Sequence, residues 1–95
     1  MVTEKNILDF SKSNFQTIGE FKECMRCGGE VEFEWKGVQY GVVRYGKDHK
    51  ITIYEAYQPE SEMVCETADD ALEYMLGKDR FRDVLSQVTI LFRSI

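Results

Sequence analysis

Glu30-Val31-Glu32-Phe33-Glu34-Trp35-Lys36-Gly37-Val38-Gln39-Tyr40-Gly41-Val42-Val43-Arg44-Tyr45 is the stretch that decides the fold. Its first half alternates without error, with Val31, Phe33 and Trp35 on one face of a strand and Glu30, Glu32 and Glu34 on the other. Lys36-Gly37 suits a two-residue hairpin turn, because glycine takes positive φ at no steric cost. That turn sets Trp35 opposite Val38, Phe33 opposite Tyr40 and Val31 opposite Val42. A second turn at Gly46-Lys47-Asp48-His49 pairs Tyr45 with Lys50, hence Val42 with Ile53 and Arg44 with Ile51. Both turns bring the apolar sets to the same face. This agreement between independent local signals predicts a three-stranded antiparallel meander.

Working outward from the meander, Thr17-Ile18-Gly19-Glu20 has capping-box spacing. Ile18, Phe21 and Met25 then share a helical face with Cys24 beside them, and Gly28-Gly29 supplies a left-handed stop. These signals predict a helix over 18–27. Residues 3–12 read as a weaker helix capped by Thr3, with Ile7 and Leu8 inward. Beyond Tyr57, Gln58-Pro59-Glu60-Ser61-Glu62 reads as an exposed loop. Thr67 and Asp70 repeat the cap signal for a helix over 68–76 that turns Ala68, Leu72, Met75 and Leu76 inward and stops at Gly77. Residues 80–86 hold one or two further helical turns around Phe81, Val84 and Leu85. Val88, Ile90 and Phe92 alternate with Thr89, Leu91 and Arg93 as a final strand. The expectation is a single α+β domain over 1–95: N-terminal helix, meander, C-terminal helix or helices and last strand, with the helices on one face of the sheet.

Length and composition bound the function. Ninety-five residues bury roughly 60–65% of their unfolded surface, enough for one small core. With 43% hydrophobic and 13% aromatic residues and one proline, the chain is not of a disordered class. The uncharged apolar run Val88 to Phe92 is far too short to span a membrane. No basic-then-apolar leader opens the sequence, so a cytoplasmic location with Cys24, Cys27 and Cys65 reduced is expected.

The net charge of −5 conceals an asymmetry. No lysine or arginine falls between Lys50 and Lys78, an interval holding Glu55, Glu60, Glu62, Glu66, Asp69, Asp70 and Glu73. Such a run attracts cationic surfaces and repels nucleic acid. Glu60, Glu62, Glu66, Asp69, Asp70 and Glu73 therefore form the first candidate docking surface, for a protein partner with a basic surface. The basic cluster Lys78, Arg80 and Arg82 follows at once and can fold back on Asp69, Asp70 or Glu73. The polar face of the meander, with Glu30, Glu32, Glu34, Tyr45 and Tyr54, is the second candidate, since tyrosine offers rigid contact area with a polar tip. A homodimer through that face or through a sheet edge stays open.

Cys24-Met25-Arg26-Cys27-Gly28-Gly29 is the one chemical motif. C-x-x-C supplies half of a tetrahedral zinc site, which His49 and Cys65 would have to complete. A second C-x-x-C is missing, and Cys24 sits on an apolar helical face. A zinc-stabilised domain is thus the alternative reading. The pair falls at a predicted helix C-terminus, where the dipole opposes thiolate, so redox catalysis is not expected. The glutamates of the first strand recur every ~6.6 Å, a spacing that serves a half-buried strand before it serves catalysis. No enzyme is expected.

The residues Ile18-Gly19-Glu20-Phe21, Gly29 through Gly37, Tyr40, Ile51 to Tyr57 and Thr67-Ala68-Asp69-Asp70-Ala71-Leu72 resemble those of small uncharacterised Firmicutes proteins found near phage or integrative elements. The likeness covers about residues 15–95 and rests on turns, caps and core positions. It implies an accessory or inhibitory role for a small acidic protein, in the manner of anti-CRISPR proteins that imitate nucleic acid, and it carries no functional residue.

Overall fold

The computed structural model describes residues 14–45 and 50–94. The helix read over 3–12 and the histidine at 49 lie outside the described residues. Within them the order is α1 (Ile18–Arg26), β1 (Glu30–Trp35), β2 (Val38–Tyr45), β3 (Lys50–Glu55), a 3-10 turn (Pro59–Ser61), β4 (Met63–Cys65), α2 (Ala68–Ala71), β5 (Met75–Leu76), β6 (Asp79–Arg80), α3 (Phe81–Val84) and β7 (Thr89–Ser94). Five strands form one antiparallel sheet in the order β4-β3-β2-β1-β7, and β5-β6 make a separate small hairpin. The protein is α+β.

Thr17 caps α1, its Oγ1 accepting from the Glu20 N–H at 3.1 Å. The reciprocal bond of the capping box is shifted by one residue, for the Glu20 carboxylate accepts from the Gln16 N–H at 2.7 Å. Phe21, Cys24 and Met25 face the core. The helix ends at Arg26 with Cys27 as its cap. Gly28 at φ +81° then allows a Schellman closure, with the Gly28 N–H on the Met25 carbonyl and the Gly29 N–H on that of Cys24. Arg44, reaching across from β2, donates to the carbonyls of Met25 and Arg26 at the end of the helix.

The meander has the register expected of it. Trp35 faces Val38, Phe33 faces Tyr40 and Val31 faces Val42; across β2 and β3, Val42 faces Ile53, Arg44 faces Ile51 and Tyr45 faces Lys50. Lys36 and Gly37 both take positive φ (53° and 83°), as a type I′ turn requires. Asp79 fastens this turn to β6: it accepts from Trp35 Nε1 at 2.9 Å and pairs with Lys36 at 3.2 Å.

The second half departs from expectation in three places. The helix over 68–76 stops at Ala71. Leu72 and Leu76 are still buried, but Met75 is half exposed in β5, because the chain reverses at Gly77 (φ +70°) to pair Leu76 with Asp79. Two outside bonds hold that reversal, the Phe81 N–H on the Tyr74 carbonyl and the Arg82 N–H on that of Leu72, both at 2.8 Å. A continued helix would forgo both. The helix over 80–86 is likewise reduced to Phe81–Val84. Met63–Cys65, within a stretch without strand signals, pairs with β3 as the edge strand β4.

The last strand pairs with β1, and a bulge interrupts its alternation: Phe33 faces Ile90, whereas Glu32 faces Phe92. Leu91 is the extra residue. Ile90 therefore stays buried while Phe92 moves to the polar face, 40% exposed. The same slip turns Arg93 inward, its guanidinium 4.1 Å from the centre of the Phe15 ring and 3.0 Å from the Glu20 carboxylate.

All three described helices contribute to one core with the inner face of the sheet. An aromatic chain runs through it. Phe21 meets Phe15 and Phe81 edge-on, and Phe81 stacks on Phe33 at 4.8 Å, which in turn stacks on Tyr40 at 5.3 Å.

Candidate functional site

The fold divides the acidic interval. Asp69 pairs with Lys22 at 3.0 Å and with Arg82 at 3.4 Å. Glu73 pairs with Arg82 at 3.0 Å and with Arg80 at 3.5 Å, and Glu66 pairs with Lys50 at 3.4 Å. The Lys22 bond, reinforced by Arg82, holds the Asp69 carboxyl below the usual range. Glu60, Glu62 and Asp70 pair with no described basic side chain. Arg80 and Arg82 thus fold back on Asp69 and Glu73 as expected, and with Lys22 and Lys50 they offset half of the first candidate surface, though no window of sequence shows Lys22 beside Asp69.

The second candidate surface is shared by all five strands, though it is not exposed throughout, for Thr52 on it is buried. The outward positions of the sheet form three rows across the strands. In the first, Ser94, Glu30, Val43, Thr52 and Val64 succeed one another from β7 to β4; the second runs Phe92, Glu32, Gly41 and Tyr54. The third holds Thr89, Glu34 and Gln39, extended by Ala56, whose N–H donates to the Gln39 carbonyl at 2.9 Å. Glu30, Glu32 and Glu34 make no ion pair among the described residues; Glu32 is exposed and Glu30 and Glu34 are partly so. Tyr45 takes its expected place in the β2 register, and its side chain lies outside the described residues.

Tyr54 lies flat over Gly41. A Cβ built on Gly41 would stand 2.3 Å from the Tyr54 Oη and 2.4 Å from its Cζ, so the ring occupies the space that a side chain at 41 would need. Beside it is a shallow concavity of about 230 Å³ bounded by Glu32, Gln39, Tyr54, Ala56, Tyr57 and Leu91. Tyr57 stands at its rim with 91% of its surface exposed and φ at +65°. A bulky residue in this region costs on the order of 1 kcal/mol or more, and such strain concentrates at functional sites. Val64 and Phe92 add apolar surface to the same face, 60% and 40% exposed. Neither Tyr57 nor Phe92 belongs to the sequence-derived candidates. The signal for Phe92 is a bulge that alternation alone does not reveal, and Tyr57 carries no pattern.

The cysteines fall in two elements, Cys24 and Cys27 at the end of α1 and Cys65 in β4. Cys24 is buried and Cys27 exposed, and both border a hollow of about 260 Å³ with Glu20, Glu23 and Arg93 on the β7 side. The Cys27 thiol is 3.5 Å from the Glu23 carboxylate. Cys65 is buried in β4, the edge strand opposite β7. Burial pushes the thiols of Cys24 and Cys65 up in pKa. The structure therefore does not bring Cys65 to the Cys24/Cys27 pair, and no group of three His, Cys, Asp or Glu placed to hold a metal ion occurs among the described residues.

A wider groove, about 460 Å³, runs between α1 and α2 over Met25, Ile51 and Ala68. Its cations are committed, Lys22 to Asp69, Arg26 to Glu23 and Arg44 to the carbonyls ending α1. None of the described helices is long and apolar enough to cross a membrane. Set against protein families, curated proteins and solved structures, the chain has no significant match to any of them.

Proposed function

We propose that this protein is a non-catalytic binding module that docks on a basic protein surface through the open face of its sheet. The observation that carries the reading is the set Glu30, Glu32 and Glu34 along β1, unpaired among the described residues, on the face opposite the core, with the exposed Phe92 opposite Glu32 and the exposed Tyr57 on the same concavity as Glu32. A carboxylate ladder next to rigid aromatic surface joins electrostatic steering to a small desolvated anchor. The acids of the 60–73 interval play the lesser part, because Lys22, Lys50, Arg80 and Arg82 already answer three of them. In the mobile-element setting that the sequence resemblance suggests, the partner is an enzyme whose basic surface otherwise binds nucleic acid. The protein then acts by occupying that surface.

The test is capture of a partner from lysate of the source organism, followed by a salt step and two variants. The expected result is a stoichiometric partner released as ionic strength rises toward 0.5 M or so, where the screening length falls to a few Å. Binding should weaken at least tenfold in Glu30→Lys/Glu32→Lys/Glu34→Lys and stay within about threefold of wild type in Glu60→Lys/Glu62→Lys/Asp70→Lys. Salt-insensitive binding, or the opposite ranking of the two variants, defeats this reading.

A further inference from the structure

Among the described residues the sheet ends in β4 and in β7, and the two edges are not alike. β4 is three residues long and begins directly after the 3-10 turn. β7 is six, Thr89-Ile90-Leu91-Phe92-Arg93-Ser94, without proline, lysine or acid. Natural proteins blunt an exposed edge with short strands, proline, lysine or an inward-pointing charge. The inward charge here, Arg93, is already matched by Glu20 and covered by Phe15, so it does not oppose an incoming strand. The bulge at Leu91 is the remaining device, and its effect is to bring Phe92 out onto the open face.

The surroundings of this edge specify what fits it. On the outer side, Ser94, Phe92 and Thr89 each stand directly beside Glu30, Glu32 and Glu34. On the inner side, the hollow between α1 and β7, bordered by Glu20, Glu23, Cys24, Cys27 and Arg93, leaves room for small side chains. We propose that β7 is a strand-addition edge for an extended segment of the partner in which basic residues alternate with small apolar ones. This deepens, and rests on, the reading of the open face as a docking surface. Its lysine or arginine stems cross Phe92 and Thr89 to reach the glutamates, its apolar side chains drop toward α1, and main-chain hydrogen bonds supply register. Charge also selects between occupants. A second copy pairing β7 with β7 would bring two glutamate ladders, unpaired among the described residues, toward each other and offer no cation to meet them.

The probe is the heptapeptide acetyl-(Lys-Val)3-Lys-amide, titrated at low ionic strength into the full chain labelled with 15N, beside the same peptide N-methylated at alternate residues. The expected result is that amide shifts concentrate at 89–94 and that hydrogen exchange there slows at least tenfold. N-methylation and the edge variant Thr89→Lys/Phe92→Lys, checked for its fold by circular dichroism, should each weaken binding at least tenfold. Silence at the β7 amides, or equal binding by the N-methylated peptide, overturns strand addition even if the glutamate triple variant still loses the partner. Conversely, full binding at β7 by the glutamate triple variant upholds the edge as a strand acceptor and removes the glutamates from both proposals.

Discussion

Gly41 lacks a side chain where Tyr54 needs room, and the consequence can be measured. In Gly41→Ala the new Cβ and the Tyr54 ring compete for one space, and the ring is too large to yield without leaving the sheet surface. Overpacking of this kind costs about 1–3 kcal/mol. Urea denaturation should show that loss in Gly41→Ala, and should show little of it when Gly41→Ala is made in a Tyr54→Ala background. Equal losses in both backgrounds would mean that the ring does not hold this position. The sequence displays Gly41 within a strand pattern, which signals either a bulge or a close approach. Which of the two applies, and that the approaching group is Tyr54, follows only from the β2–β3 register. Phe92 makes the same point in reverse, since its alternation with Ile90 is plain in the sequence but is cancelled by one extra residue at Leu91.

At the scale of elements, legibility tracks how local the determinants are. The two hairpin registers and the cap of α1 depend on residues within a few positions of one another and match the expectation, while the helix ends at Arg26, one residue short of the expected 27. The expected helix over 68–76 fails because its competitors are remote: the Tyr74 carbonyl is taken by Phe81 and the Leu72 carbonyl by Arg82, and the Tyr74 hydroxyl donates to the Ser61 carbonyl at 2.9 Å. β4 was hidden for a similar reason, as three residues carry too little periodicity to announce a strand. The junction of α1 with β7 shows how an element boundary responds to pH. The Glu20 carboxyl is held below the usual glutamate range, first by the Gln16 N–H and then by Arg93. A depressed carboxylate stabilises the fold above its unfolded pKa, and the contribution is lost as pH falls through the folded value. Glu20→Gln keeps the shape of the cap but removes the titration. Its stability should therefore fall less steeply than that of wild type below about pH 4.5, by less than one proton in slope, with no change in slope near neutrality. Thermal melts across pH 3 to 7 would check this, and parallel acid limbs would show that the Glu20 contacts are not maintained in solution.

For the whole molecule, the distribution of charge is only partly visible in the chain. The interval from Ile51 to Gly77 contains seven acids and no base. Folding surrounds it with Lys22, Lys50, Arg80 and Arg82, while the three glutamates of β1, interleaved with core residues, are left without an ion pair among the described residues. On the docking reading proposed above, the stronger attraction lies on the sheet face rather than on the acidic run, although Glu60, Glu62 and Asp70 also make no ion pair among the described residues. If so, removing the compensating cations should create at 60–73 the attraction that the sequence leads one to expect there. Exposed pairs of this kind contribute about 0–1 kcal/mol each, so Lys22→Ala/Arg82→Ala should remain folded. Its affinity for a plain cationic probe, hexalysine at low ionic strength, should rise several-fold over wild type. Glu30→Gln/Glu32→Gln/Glu34→Gln should lower that affinity by a similar factor, and salt should erase both changes, because long-range attraction between exposed charges is screened within about 10 Å at 0.1 M. Calorimetric titration of the three proteins distinguishes the alternatives: an unchanged affinity in the glutamine variant would return the dominant field to the acidic run and, with it, the docking surface.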